Sequence, residues 1–120
     1  MKTNNKDIKT IDATQRTLGR VASEVAMSLM GKTKATFERN KYSGFPVVII
    51  NASKLKITSK KLDSIYHTRY SGIPGGLRIL KGTETAEKKG MKELVKLATY
   101  QMLPDNKLRR TMMKNLTIEE

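Results

Sequence analysis

Residues 70–83, YSGIPGGLRILKGT, hold four of the chain's eight glycines within fourteen positions, with Arg78 and Lys81 among them. Glycines at such density can bring bare backbone amides up to phosphate oxygens. A nucleotide-binding phosphate loop needs G-x-x-x-x-G-K-[ST], whereas the order here is Lys81, Gly82, Thr83. Gly72, Gly75 and Gly76 also miss the G-x-G-x-x-G spacing of a dinucleotide fold. Gly72-Ile73-Pro74-Gly75 does fit the G-x-x-G of a KH domain, but that loop joins two helices and this one follows an expected strand. Pro74 removes one amide donor from any cradle. Two readings stay open: a flexible turn, or a loop laid against a sugar-phosphate surface with Arg69, Arg78 and Lys81 supplying charge.

Other reactive side chains form no constellation. His67 is the only histidine and is expected to be structural. Asp7 and Asp12 lack a third ligand for a metal, and Asp12 is expected to hydrogen-bond the turn into the following helix. Ser23 and Ser71 have no base assigned to them. The absence of cysteine excludes disulfides, thiolate zinc sites and thiol nucleophiles. The expectation is a protein that is not an enzyme, with no catalytic residue, metal or cofactor.

The elements that must position the glycine stretch follow from periodicity. Residues 8–12, IKTID, alternate as a short strand. Leu18, Val21, Ala22, Val25, Ala26, Leu29 and Met30 form a helical stripe, with Thr14 or Thr17 to cap it and Gly31 to stop it. Gly19 in the first turn implies close backbone approach, and Arg16 and Arg20 stand where the helix dipole favours anions. Residues 31–44 lack a period and read as a basic surface loop. PVVIIN at 46–51 is a β-branched run, the pattern of a strand covered on both faces. KLDSIYHTRY at 61–70 reads as a further strand, with Leu62, Ile65 and Tyr66 in rough alternation.

Beyond the glycines, a helix is expected from Thr83 to Gly90 and another over 91–103, burying Met91, Leu94, Val95, Ala98 and Met102. Pro104 breaks it, Asp105 can cap a last helix through Lys114, and LTI at 116–118 closes the sheet. The fold class is therefore α/β: a single three-layer domain with a mainly parallel four-stranded sheet flanked by helices. Residues 1–7 read as a basic polar tail and residues 8–120 as the domain.

Lys and Arg number 24 against 11 Asp and Glu, a net charge of +13. Such an imbalance is usually offset by a polyanion. Nucleic acid is the expected partner, with an acidic membrane as the lesser alternative. The start has no apolar signal core and no run approaches a membrane span, so a cytoplasmic protein is expected, with neither a membrane nor a small-molecule substrate as partner. Two Phe, four Tyr and no RNP-like aromatic pair argue for phosphate-dominated binding to structured RNA rather than single-strand stacking.

Four blocks then carry a resemblance: IDATQRTLGRVASEVAMSLMGKTK at 11–34, VVIINASKLKIT at 47–58, RYSGIPGGLR at 69–78 and MLPDNKLRRTMMKNL at 102–116. In this order they resemble the bacterial ribosomal protein L-thirteen family of the large subunit, over about residues 8–118. The family pattern D-A-x-x-x-x-L-G-R falls on Asp12, Ala13, Leu18, Gly19 and Arg20, and I-N-A on Ile50, Asn51 and Ala52. S-G-x-x-G-G falls on Ser71, Gly72, Gly75 and Gly76, and M-L-P on Met102, Leu103 and Pro104. The resemblance implies a non-catalytic constituent of the large ribosomal subunit that binds 23S-type rRNA, supports early assembly and translation, and touches neighbouring large-subunit proteins.

Candidate RNA contacts are Arg16 and Arg20 at the first helix, and Lys32, Lys34, Arg39 and Lys41 in the basic loop. Lys60 and Lys61 precede the glycine segment, which offers Arg69, Ser71, Gly72, Gly75, Gly76, Arg78 and Lys81. Lys107, Arg109 and Arg110 complete the set near the last helix. An RNA-acting enzyme and a free-standing RNA chaperone are the rival classes. The first would need a clustered acid, base or metal site; the second shares the charge and fold.

Overall fold

The computed structural model describes residues 8–120, so the expected 1–7 tail lies outside the described residues. Strands β1 (Lys9–Asp12), β2 (Val47–Ile50) and β5 (Leu116–Ile118) form a parallel sheet in the order β1-β2-β5. Central β2 has Val47 and Ile49 fully buried, with Ile11 of β1 and Ile118 of β5 beside them in the core.

Helix α1 (Leu18–Met30) packs the expected stripe inward: Leu18, Val21, Ala22, Val25, Ala26 and Leu29 are all buried. Gly31 ends it with φ 75°, the left-handed stop anticipated for a glycine, while the Thr17 cap position makes no side-chain hydrogen bond. A Cβ built on Gly19 would meet nothing within 4 Å, so its surroundings are open surface, and close approach by another part of the described chain does not explain it. Asp12 does fasten the turn: its Oδ1 accepts from the Thr14 amide at 2.9 Å, the Thr14 hydroxyl at 2.7 Å and Asn51 Nδ2 at 3.2 Å.

The α/β class and the parallel sheet stand, but the fourth strand does not join that sheet. It is β3 (Tyr66–Tyr70), paired antiparallel with β4 (Leu77–Lys81) in a separate hairpin. Only residues 71–76 connect them. A parallel partner would need a crossover of about a dozen residues. The segment ahead of β3 is also different: residues 59–64 form α2 (Ser59–Ser64), whose Thr58 hydroxyl oxygen accepts from the Lys61 amide at 3.3 Å. Leu62 and Ile65, read as strand alternation, are three apart and half-buried, which is equally the spacing of one helical face.

Helices α3 (Gly82–Lys89) and α4 (Met91–Met102) follow the expected bounds closely. Leu94, Val95 and Thr99 form the buried side of α4, whereas Met102 is 42% exposed and accepts a hydrogen bond from the Ser23 hydroxyl at its sulfur. Before α5 (Leu108–Lys114), Asn106 rather than Asp105 does the capping, its Oδ1 accepting from the Arg109 amide at 3.2 Å. The basic 31–44 loop is docked at its end, because a Cβ on Gly44 would run into the Leu29 carbonyl.

Candidate nucleic-acid interface

The glycine stretch makes the hairpin turn. Gly76 N–H donates to the Ile73 carbonyl at 2.9 Å, closing a four-residue turn with Pro74 second and Gly75 third. Gly75 has φ 80°, which is the type II pattern: proline pre-set at the second place and a left-handed residue at the third. Gly72 has φ 84°, and neither glycine would bring a Cβ near another group. Turn geometry alone therefore calls for glycine at these two positions. Gly76 is different, since its missing side chain leaves room for the Ser71 hydroxyl.

The same turn fixes which side chains face each other. Register pairs Arg69 directly with Arg78, one strand across from the other. Both are exposed, and neither has an ion-pair partner among the described residues. Like charges in directly opposite positions destabilise a hairpin. Next to them His67 is buried and shares a 3.0 Å hydrogen bond between its Nδ1 and Gln101 Nε2. Burial, and then the charge of Arg69, push the imidazole pKa down, so His67 is neutral at physiological pH. Arg69 also lines an open concavity with Glu93 and Lys96 of α4.

A second basic group assembles from distant segments. Lys32, Arg39 and Lys41 line an open cavity of about 230 Å³ together with Asn106, Leu108 and Met112. Lys107 and Arg110 flank the neighbouring concavity at the α4–α5 corner. Arg109 is held by the fold instead. Its Nε and Nη2 donate to the Tyr100 carbonyl at 3.0 and 2.6 Å, and its guanidinium lies 3.7 Å from the Tyr100 ring centre. Its Nη1 pairs with Asp105 at 3.3 Å, and the side chain is only 15% exposed.

The remaining candidates are scattered. Arg16 pairs with Glu24 at 2.7 Å, and Lys9 approaches the same carboxylate at 3.6 Å, together holding its pKa below the usual range. Arg20 is exposed and unpaired among the described residues. Lys34 stacks 4.0 Å over Phe45, while Lys41 pairs with Glu38 at 3.4 Å. Lys60 and Lys61 ride on α2 and Lys81 ends β4, all exposed. No group of three His, Asp or Glu residues could hold a metal among the described residues.

A family model described as Ribosomal protein L13 matches residues 6–119. The chain belongs to the ribosomal protein L13 family. It is 43% identical over 109 residues to the large ribosomal subunit protein uL13 of Natranaerobius thermophilus, covering 91% of this chain and 76% of that one. The protein of the same name from Clostridioides difficile is 41% identical over 108 residues, covering 90% and 75%. That from Pelobacter propionicus is 41% identical over 113 residues, covering 94% and 79%. Members are ribosomal proteins, and this one is not an enzyme.

One feature of this L13 family member escapes a search for charge. On the hairpin face opposite His67 and Arg69, Tyr66, Tyr70, Leu77 and Ile79 are each at least 60% exposed, with Ile73 at the turn. The signal was available in the sequence. Strand alternation in YHTRY and LRILK separates these residues onto one side. Phe37 of the 31–44 loop also lines the 230 Å³ cavity, a placement that no period within the loop announces.

Proposed function

We propose that this chain is a non-catalytic constituent of the large ribosomal subunit that binds large-subunit rRNA, chiefly through phosphates, and supports subunit assembly in the cytoplasm. Residues 8–120 act in this as one unit. The observation that carries the reading is Arg69 facing Arg78 across the hairpin, in a chain of net charge +13. An isolated fold gains nothing from that juxtaposition, whereas a phosphate between two guanidinium groups turns it into an attraction. The relatives' names as large ribosomal subunit proteins support the same assignment. The exposed apolar face of the hairpin supports packing against further subunit components, including neighbouring proteins.

Two measurements test this. The protein should co-sediment with large subunits through a high-salt gradient, which a free-standing RNA chaperone would not do. Affinity for a large-subunit rRNA fragment should fall by about 10³–10⁵ between 50 and 200 mM salt if roughly 6–10 phosphates are neutralised. A flat titration would refute phosphate-dominated binding.

A further inference from the structure

We propose that the cavity between the 31–44 loop and the α4–α5 corner takes one unpaired nucleobase, guanine by preference, from the RNA bound around it. This rests on the RNA-binding reading and adds a base-specific contact to it. The cavity, about 230 Å³ and open to solvent, has an apolar lining of Met30, Phe37, Pro104, Leu108 and Met112. It has room for a single base. Lys32, Arg39 and Lys41 line the same cavity, so a strand delivering a base there meets cations for its flanking phosphates.

Phe37 points to a base rather than to a protein side chain. It is one of only two phenylalanines and lines the cavity half-exposed, yet it is not part of the cluster that packs the core. An aromatic ring kept at a basic surface without a packing role is the platform on which unpaired bases stack. The polar groups in the lining supply the preference. Glu38 is exposed, with one carboxylate oxygen 3.4 Å from Lys41 and the other without a partner among the described residues. A carboxylate matches the adjacent N1–H and N2–H donors of guanine; adenine and cytosine would present a ring acceptor beside their amino group. Asn106 uses its Oδ1 to cap α5, which leaves its amide N–H groups to donate to a base carbonyl.

The test uses the full chain and a large-subunit rRNA transcript, with chemical probing of unpaired guanines and a binding titration for each variant. The wild type should protect an unpaired guanine. Phe37→Ala should expose it again and weaken binding about tenfold, with the melting temperature unchanged. Glu38→Gln should narrow the gap between the native transcript and one carrying adenine at the protected position. Because Glu38 is exposed and outside the core, this second variant decides the matter even if Phe37→Ala melts early. Steep, salt-dependent binding without guanine protection, unaffected by both variants, would overturn the base pocket and leave the RNA-binding reading intact. A protein side chain found in the cavity in the assembled subunit would overturn it as well. Failure of the wild type to bind any transcript would sink both proposals.

Discussion

Reversing one charge of the facing arginine pair should separate the needs of the fold from those of RNA. In Arg78→Glu, the residue opposite Arg69 becomes an anion. Side chains in directly opposite positions start about 5 Å apart at Cβ, and flexible guanidinium groups splay to roughly 7 Å. At that distance two unit charges interact by about 0.6 kcal/mol in water, and salt reduces this further. Changing repulsion into attraction is therefore worth up to about 1 kcal/mol, within the usual range for exposed cross-strand pairs. Thermal melting of the isolated protein should rise by about 1–4 °C. Binding to a large-subunit rRNA fragment should weaken, with a salt slope shallower by about 1–2 because a cation is lost and an anion gained. A variant that melts lower and binds RNA as before would refute the reasoning, because the arginines would then be serving the fold.

Gly75→Ala should cost about 1 kcal/mol of stability, read as a lower denaturation midpoint, because alanine is strained at φ 80° although space for its Cβ is open. Stability should decline as pH falls below about 6.5, because burial depresses the His67 pKa in the folded state and the unfolded chain takes up the proton first; denaturant midpoints between pH 8 and 5 measure this, and His67→Gln should flatten that part of the profile. A second loss should appear below about pH 4.5, where Glu24, whose folded pKa is depressed by Arg16, is protonated first in the unfolded chain. Arg109→Ala should lower stability by about 1–2 kcal/mol while barely changing the salt slope of RNA binding, since its guanidinium is bound to the Tyr100 carbonyl and ring.

Much of the fold is legible because its signals are local. The α1 stripe, the β-branched run of β2 and the Gly31 stop each fall within one helical or strand period, and the structure places them as read. Failures occur where a short pattern fits two periods or where the partner lies far along the chain. Leu62 and Ile65 satisfy helix spacing as well as a ragged strand, and the Thr58 cap decides between them. The pairing of β3 depended on the length of its connection more than on its composition. Candidate cations were harder still. Neither Arg109 nor Arg69 shows in sequence whether it meets an internal carbonyl or another arginine, because that depends on the α4–α5 corner and on hairpin register.

The number of cations is therefore a poorer guide to an interface than what each cation faces. Arg16 and Arg109 each meet an acceptor supplied by the chain, so removing either leaves a carboxylate or carbonyl with fewer donors. Arg69 and Arg78 meet each other, and removing one relieves the fold. The two classes respond oppositely to the same truncation: the first loses stability, the second gains it or stays level. An anion-binding surface is the place where the isolated protein is made more stable by losing charge. By that criterion the hairpin, and not the turn ahead of α1 where Arg16 is tied to Glu24, is the surface that best fits the proposed phosphate contact.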